Sequence, residues 1–172
     1  MTIEYKQTKE HLIEYNKYVL SNNKKYKRNI FFIRAVIAII IFAVFNNLVK
    51  DVPLFEPYDT YIPFVMAGVV LFITSLSDQS KLIVKNMLKA NPQLIGERKV
   101  EVLENELTIE DDKGKTVYPF ESFTQKVETT NLLLLFLSES VAIVIPKEVF
   151  GSDEEKEELL NRIDDHKTYD KN

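Results

Sequence analysis

The 172-residue chain contains no cysteine and no tryptophan, only four glycines and only two histidines. Without cysteine there can be no disulfide, no thiolate metal ligand and no cysteine nucleophile. Gly68, Gly96, Gly114 and Gly151 are too scattered to form a glycine-rich phosphate loop. His11 and His166 lie far apart; the first reads as a surface or packing residue, and Asp164-Asp165-His166 as solvated helix end rather than a metal site. Asp111-Asp112-Lys113-Gly114 lacks the alternating ligands and closing glutamate of a calcium loop, and reads as a hairpin turn. With no nucleophile, base or metal set in sight, the chain reads as a non-enzyme that needs no cofactor.

Acidic residues slightly exceed basic ones, for a net charge of -4, but the excess is unevenly spread. Met1 to Gly96 carries 12 Lys and Arg against 7 Asp and Glu, whereas Glu97 to Asn172 carries 10 against 19. A basic half followed by an acidic half marks a domain boundary. The acidic half also argues against nucleic acid as a partner, because phosphate affinity rests on clustered Lys and Arg.

What the chain does have is two apolar runs, Ile30–Val49 and Tyr61–Ser77. As a helix the first is about 30 Å long, one hydrocarbon thickness, and the second about 25 Å. Neither AVIAIIIFAVF nor FVMAGVVLFI offers the polar face of a surface helix. Asp59 and Thr60 are candidate N-caps for the second run, and Pro63 falls in its first turn, where the missing N–H costs little. About thirty polar residues precede the first run, which argues against a cleaved signal peptide.

The flanks give a direction. Lys24, Lys25, Lys27, Arg28 and Arg34 lie at the approach, and Lys81, Lys85 and Lys89 follow the exit. The loop between the runs has only Lys50 against Asp51, Glu56 and Asp59. By the positive-inside rule both termini face the cytoplasm. Arg34 sits near enough to one end for its side chain to reach the headgroups. The eight basic residues form a collar suited to anionic lipid headgroups, with topology alone as the plainer role.

This divides the chain into residues 1–29, a strand and helix leading into the membrane; 30–78, a transmembrane hairpin with helices about 30–49 and 60–77; 79–96, a basic juxtamembrane helix; and 97–172, a cytoplasmic domain. Thr2–Lys6 alternates like a strand, and a helix begins after Thr8. Beyond residue 97, period-two segments at Lys99–Leu103, Leu107–Glu110, Thr116–Tyr118 and Phe123–Glu128 precede two apolar strands, Leu132–Leu137 and Val141–Ile145. The fully apolar LLLLFL predicts a central strand covered on both faces; an uncovered face would be a docking groove. Lys147 reads as a surface residue at the next junction. Ser152-Asp153-Glu154-Glu155 is a capping box opening a helix with Leu159, Leu160 and Ile163 on one side. The whole is an α+β membrane protein: a two-helix transmembrane hairpin plus a small antiparallel PH-like β-barrel or sheet with a C-terminal helix.

The opening MTIEYKQTKE, the two spans, ELTIEDDKGK and VAIVIPKEVF together resemble the YcxB-like bacterial membrane proteins. The resemblance implies a two-helix anchor carrying a cytoplasmic PH-like domain, and it brings no functional residues and no biochemical role. Phosphoinositide-binding PH domains use a basic loop between their first two strands. Matching that loop to Leu103-Glu104-Asn105-Glu106 gives an acidic turn that repels phosphate. The expected role is a membrane-anchored binding or scaffolding module, whose partners are the bilayer, an unidentified protein and, as a further candidate, a second copy of the chain. The alternative is an accessory or oligomeric transport component built from the hairpins, for which the spans offer few polar groups: Arg34, Asn46, Asn47, Thr74 and Ser75.

Overall fold

A computed structural model describes residues 1–49, 58, 61–76 and 78–168. The loop charges Lys50, Asp51, Glu56 and Asp59, and the proposed caps Asp59 and Thr60, lie outside the described residues, as does Ser77 at the end of the second run. In chain order the elements are β1 (Thr2–Gln7), α1 (Lys9–Asn22), α2 (Lys24–Val49), α3 (Ile62–Leu76), α4 (Gln79–Ala90), β2 (Gly96–Val102), β3 (Glu106–Asp111), β4 (Gly114–Pro119), β5 (Gln125–Glu128), β6 (Leu132–Ser138), β7 (Val141–Pro146) and α5 (Asp153–Thr168). They divide into two compact units: Met1–Val19 together with Ser80–Asn172, and Leu20–Gln79.

The first unit is α+β, with two antiparallel sheets where a single curled sheet was one reading of the sequence. One sheet has the order β1-β2-β3-β4 and the other β5-β6-β7. Alternation sets the inner face of the first. Ile3 pairs with Val100 and Val100 with Ile109, while their chain neighbours point to the other face of the sheet, where Thr108 is nevertheless buried. Asp112-Lys113 turns β3 into β4; the Asp111 carboxylate accepts the Lys113 N–H at 2.9 Å, and Gly114 supplies the φ of +129° the turn needs. The core between the sheets contains Ile3, Tyr5, Val100, Leu107, Phe120, Phe123, Leu133, Leu135 and Ile145. Leu159 and Ile163 of α5 enter the same core, both fully buried. Ser152 caps α5 by accepting the Glu155 N–H at 3.3 Å, and the Glu155 carboxylate reaches back to the Gly151 N–H at 2.7 Å.

The apolar strand β6 is covered on both faces, as its composition implies. Leu133 and Leu135 face the core between the sheets. Leu132, Leu134 and Phe136 face the other way, into a second cluster with Val144 and with Tyr15, Tyr18 and Val19 of α1. The first helix of the chain therefore closes the strand that follows more than a hundred residues later. β1 and β2 are hydrogen-bonded neighbours, so the first two strands are joined by residues 8–95. The turn Leu103–Glu106, matched to that connection above, instead joins β2 to β3. The sequence allows an N-terminal strand to be added to the tail sheet but does not fix its partner, because β1 is separated from β2 by both apolar runs.

The second unit is a helical pair. Arg34 near the start of α2 donates to the Thr74 carbonyl near the end of α3 at 2.9 Å, while Phe42 meets Phe64 at 4.7 Å between ring centroids. Contacts that run in opposite senses along the two helices make the pair antiparallel. The Thr74 carbonyl lies in the last turn of α3, where a helix has no internal donor to offer, so Arg34 satisfies a group the helix itself leaves open. Large apolar side chains stand outward on both helices, including Phe31, Ile39, Ile40, Phe64 and Phe72. Of the described helices, α2 alone is long and apolar enough to cross a membrane. At 15 residues α3 covers only about 22 Å, and a second span is reached only if α3 and α4 are counted as one broken span.

Candidate functional site

The collar residues fall in both units. Lys24, Lys25, Lys27 and Arg28 crowd the first turns of α2, all exposed. Asn23 caps that helix, its side chain accepting the Tyr26 N–H at 2.8 Å. Four positive charges at a helix N-terminus oppose the macrodipole, and the first turn holds no acid to compensate. Lys81, Lys85 and Lys89 repeat along the exposed side of α4, opposite the buried Ser80 and Val84. Arg34 is the exception, spent on the Thr74 carbonyl.

Among the described residues none of these seven exposed cations forms an ion pair, whereas several cations of the sheets and of α5 do. There Arg98 meets Asp111, Lys99 and Lys115 share Glu101, Lys126 meets Asp164, and Lys147 and Lys156 share Glu128. The two lysines hold the Glu101 carboxyl down to about 2, and Lys156 and Lys147 lower that of Glu128. Lys147, singled out from its position, is thus a partner of Glu128 at 3.0 Å.

A polar cleft of about 270 Å³ lies at the start of α1, lined by His11, Glu14, Asn131, Lys147 and Glu148 among others. Several of its groups are engaged. Thr8 and His11 cap α1 reciprocally: the Thr8 N–H donates to His11 Nδ1 and the His11 N–H to the Thr8 hydroxyl, each at 3.3 Å. Glu14 accepts from the Thr129 hydroxyl at 2.5 Å, the Asn131 N–H at 3.0 Å and the Asn131 amide at 2.9 Å. Partial burial works against its charge, but these bonds and nearby His11 outweigh it, so its pKa lies below the ordinary carboxylate value. The arrangement pins α1 to the turn between β5 and β6. Tyr15 adds a bond to the Ser140 carbonyl at 2.5 Å, and Tyr5 joins the two sheets through the Val144 carbonyl at 2.6 Å. Burial pushes the Tyr5 phenol well up, partly offset by Arg98, so it stays a neutral donor.

Sequence reasoning missed Glu14, Thr129 and Asn131, because partners 115 and 117 residues apart leave no local trace. The Thr8–His11 spacing was the available signal. A folded pKa below the unfolded one means that Glu14 stabilises fully above the ordinary carboxylate value and loses its contribution as pH falls through the folded pKa. Glu14→Gln is expected to cost about 1–2 kcal/mol at neutral pH, since the carboxylate is only partly buried. Urea titrations at neutral and acidic pH check this: the gap between variant and wild type should close on acidification.

Three further polar side chains of the helical pair bond within their own helices. Asn47 donates to the Ala43 carbonyl, Thr74 to those of Val70 and Leu71, and Ser75 to that of Phe72. Among the described residues no group of three or more His, Asp or Glu is arranged to hold a metal ion.

Fold and site together define a class: an α+β protein of two antiparallel sheets and a C-terminal helix, with a paired helical unit between its first two strands, one helix of which can span a membrane. The model of the YcxB-like protein family matches residues 102–161, from the end of β2 into α5. The sequence resemblance is borne out over that stretch. No curated protein and no solved structure matches the chain.

Proposed function

We propose that the chain is a non-catalytic membrane protein in which a two-helix hairpin, both termini cytoplasmic, anchors a PH-like binding or scaffolding domain at the inner membrane surface. The observation that carries this reading is a pairing contrast: Arg98, Lys99, Lys115 and Lys126 of the sheets and Lys147 after them are ion-paired, though Lys6 is not, while the cations flanking the apolar helices have no carboxylate partner among the described residues. Unpaired lysines beside an outward apolar surface suit anionic headgroups. Four-plus-three strands closed by a C-terminal helix suit a PH-like domain. On that reading the connection between the first two strands carries the basic residues after all, as membrane helices and their flanks rather than as a loop. The cytoplasmic surface is left acidic, fit for a protein partner, and confinement to the membrane lets a weak interface suffice. A second copy of the chain is one candidate for that partner. Crosslinking in intact membranes followed by mass spectrometry tests the role. A reproducible protein partner attached to residues 96–168 is expected, and recovery of lipid alone would reject it.

A further inference from the structure

We infer that α4 lies flat on an anionic bilayer surface, presenting Leu82, Lys85, Asn86 and Lys89 to the lipid. The inference rests on the membrane reading above and adds the element and face that make the contact. Those four residues stand at i, i+3, i+4 and i+7, one continuous patch. All four are exposed, while Ser80 and Val84 on the opposite side are buried at 1% and 0% exposure. Val84 fixes which way the helix faces, so the outward patch is set by packing and not by free rotation. Lys81 extends it as the first of three lysines spaced four apart.

Charge selects the occupant. From Gln79 to Ile95 there is no acidic residue, whereas Glu97 to Asn172 carries 19 Asp and Glu against 10 Lys and Arg. An anionic bilayer repels most of this unit and attracts α4. None of the three lysines has a carboxylate partner among the described residues, and Leu82 leaves an apolar side chain 56% exposed among them. Cations around an outward leucine are the pattern of a helix that rests at the interface. Chain length agrees, because only two residues separate α3 from α4, a reach of about 7 Å. Together the three lysines are worth on the order of a hundredfold in local partitioning to an anionic surface.

With no native cysteine, Leu82→Cys can be labelled in the full chain with a polarity-sensitive fluorophore and reconstituted in vesicles. The expected result is blue-shifted emission in vesicles containing phosphatidylglycerol, and a water-like spectrum in phosphatidylcholine alone. High salt should reverse the shift. Lys81→Gln, Lys85→Gln and Lys89→Gln together should abolish it, and a label at exposed Glu154→Cys should respond to neither lipid. Identical Leu82→Cys spectra in the two lipids, or a shift surviving the triple substitution, overturns the inference. A separate arm tests the reading beneath it: in intact cells an impermeant thiol reagent should label Phe55→Cys but not Glu154→Cys. If that pattern fails, the anchor reading falls; if it holds while Leu82→Cys stays insensitive to lipid charge, the role of α4 alone falls.

Discussion

Deleting residues 1–22 is expected to leave the sheets unable to hold their fold, although the deletion removes no residue of the YcxB-like match. It takes away β1, with Ile3 and Tyr5, and α1, with Leu12 and Tyr15, all buried. At the usual worth of a fully buried side chain those four amount to about 6–12 kcal/mol. A whole domain is typically stable by only about 5–15 kcal/mol. The deletion also uncovers Leu132, Leu134 and Phe136 on the outer face of β6 and leaves β2 as an edge. Limited proteolysis of the full and shortened chains in membranes checks this. Cleavage should spread through residues 96–168 only in the shortened one, and equal resistance would show that the tail stands alone.

Leu133→Ala and Leu134→Ala should both be costly, each by about 2–5 kcal/mol, although the two side chains point to opposite faces of one strand. In a half-exposed strand one of any two neighbours would be cheap. Here both are 0% exposed, one against the opposing sheet and α5, the other against α1. Adding Tyr15→Ala separates the faces. It should couple with Leu134→Ala, which shares its cluster, by about 0.5–3 kcal/mol, and combine additively with Leu133→Ala. Denaturant titration of the single and double variants reads both effects.

The contrast between those leucines also shows what was legible in the chain. Six uninterrupted apolar residues already demanded two covers, because a strand with one wet face alternates. Which elements supplied the covers was not written there, since α1 is polar along most of its length and signals only a short helix. The strand ends were read to within a few residues, and the Ser152–Glu155 box was read at the right place, because turns and caps depend on neighbours in sequence. The pairing of β1 with β2 was not, because loop closure over nearly ninety residues leaves no periodicity to detect. The basic residues flanking the apolar runs were legible from spacing alone, but the bond of Arg34 to Thr74 was not, because it depends on how α2 and α3 pair.

By itself the sequence determined the helices and strands, the apolar character of α2 and the uneven distribution of charge. Each of these follows from composition and spacing within a window of a few turns. Tertiary structure alone decided that the head and tail form one unit although the apolar helices separate them in sequence, that Glu14 is bound by the β5–β6 turn, and which lysines find a carboxylate among the described residues. A side chain's partner is set by what folding brings within about 3 Å of it, and that distance is unrelated to separation along the chain.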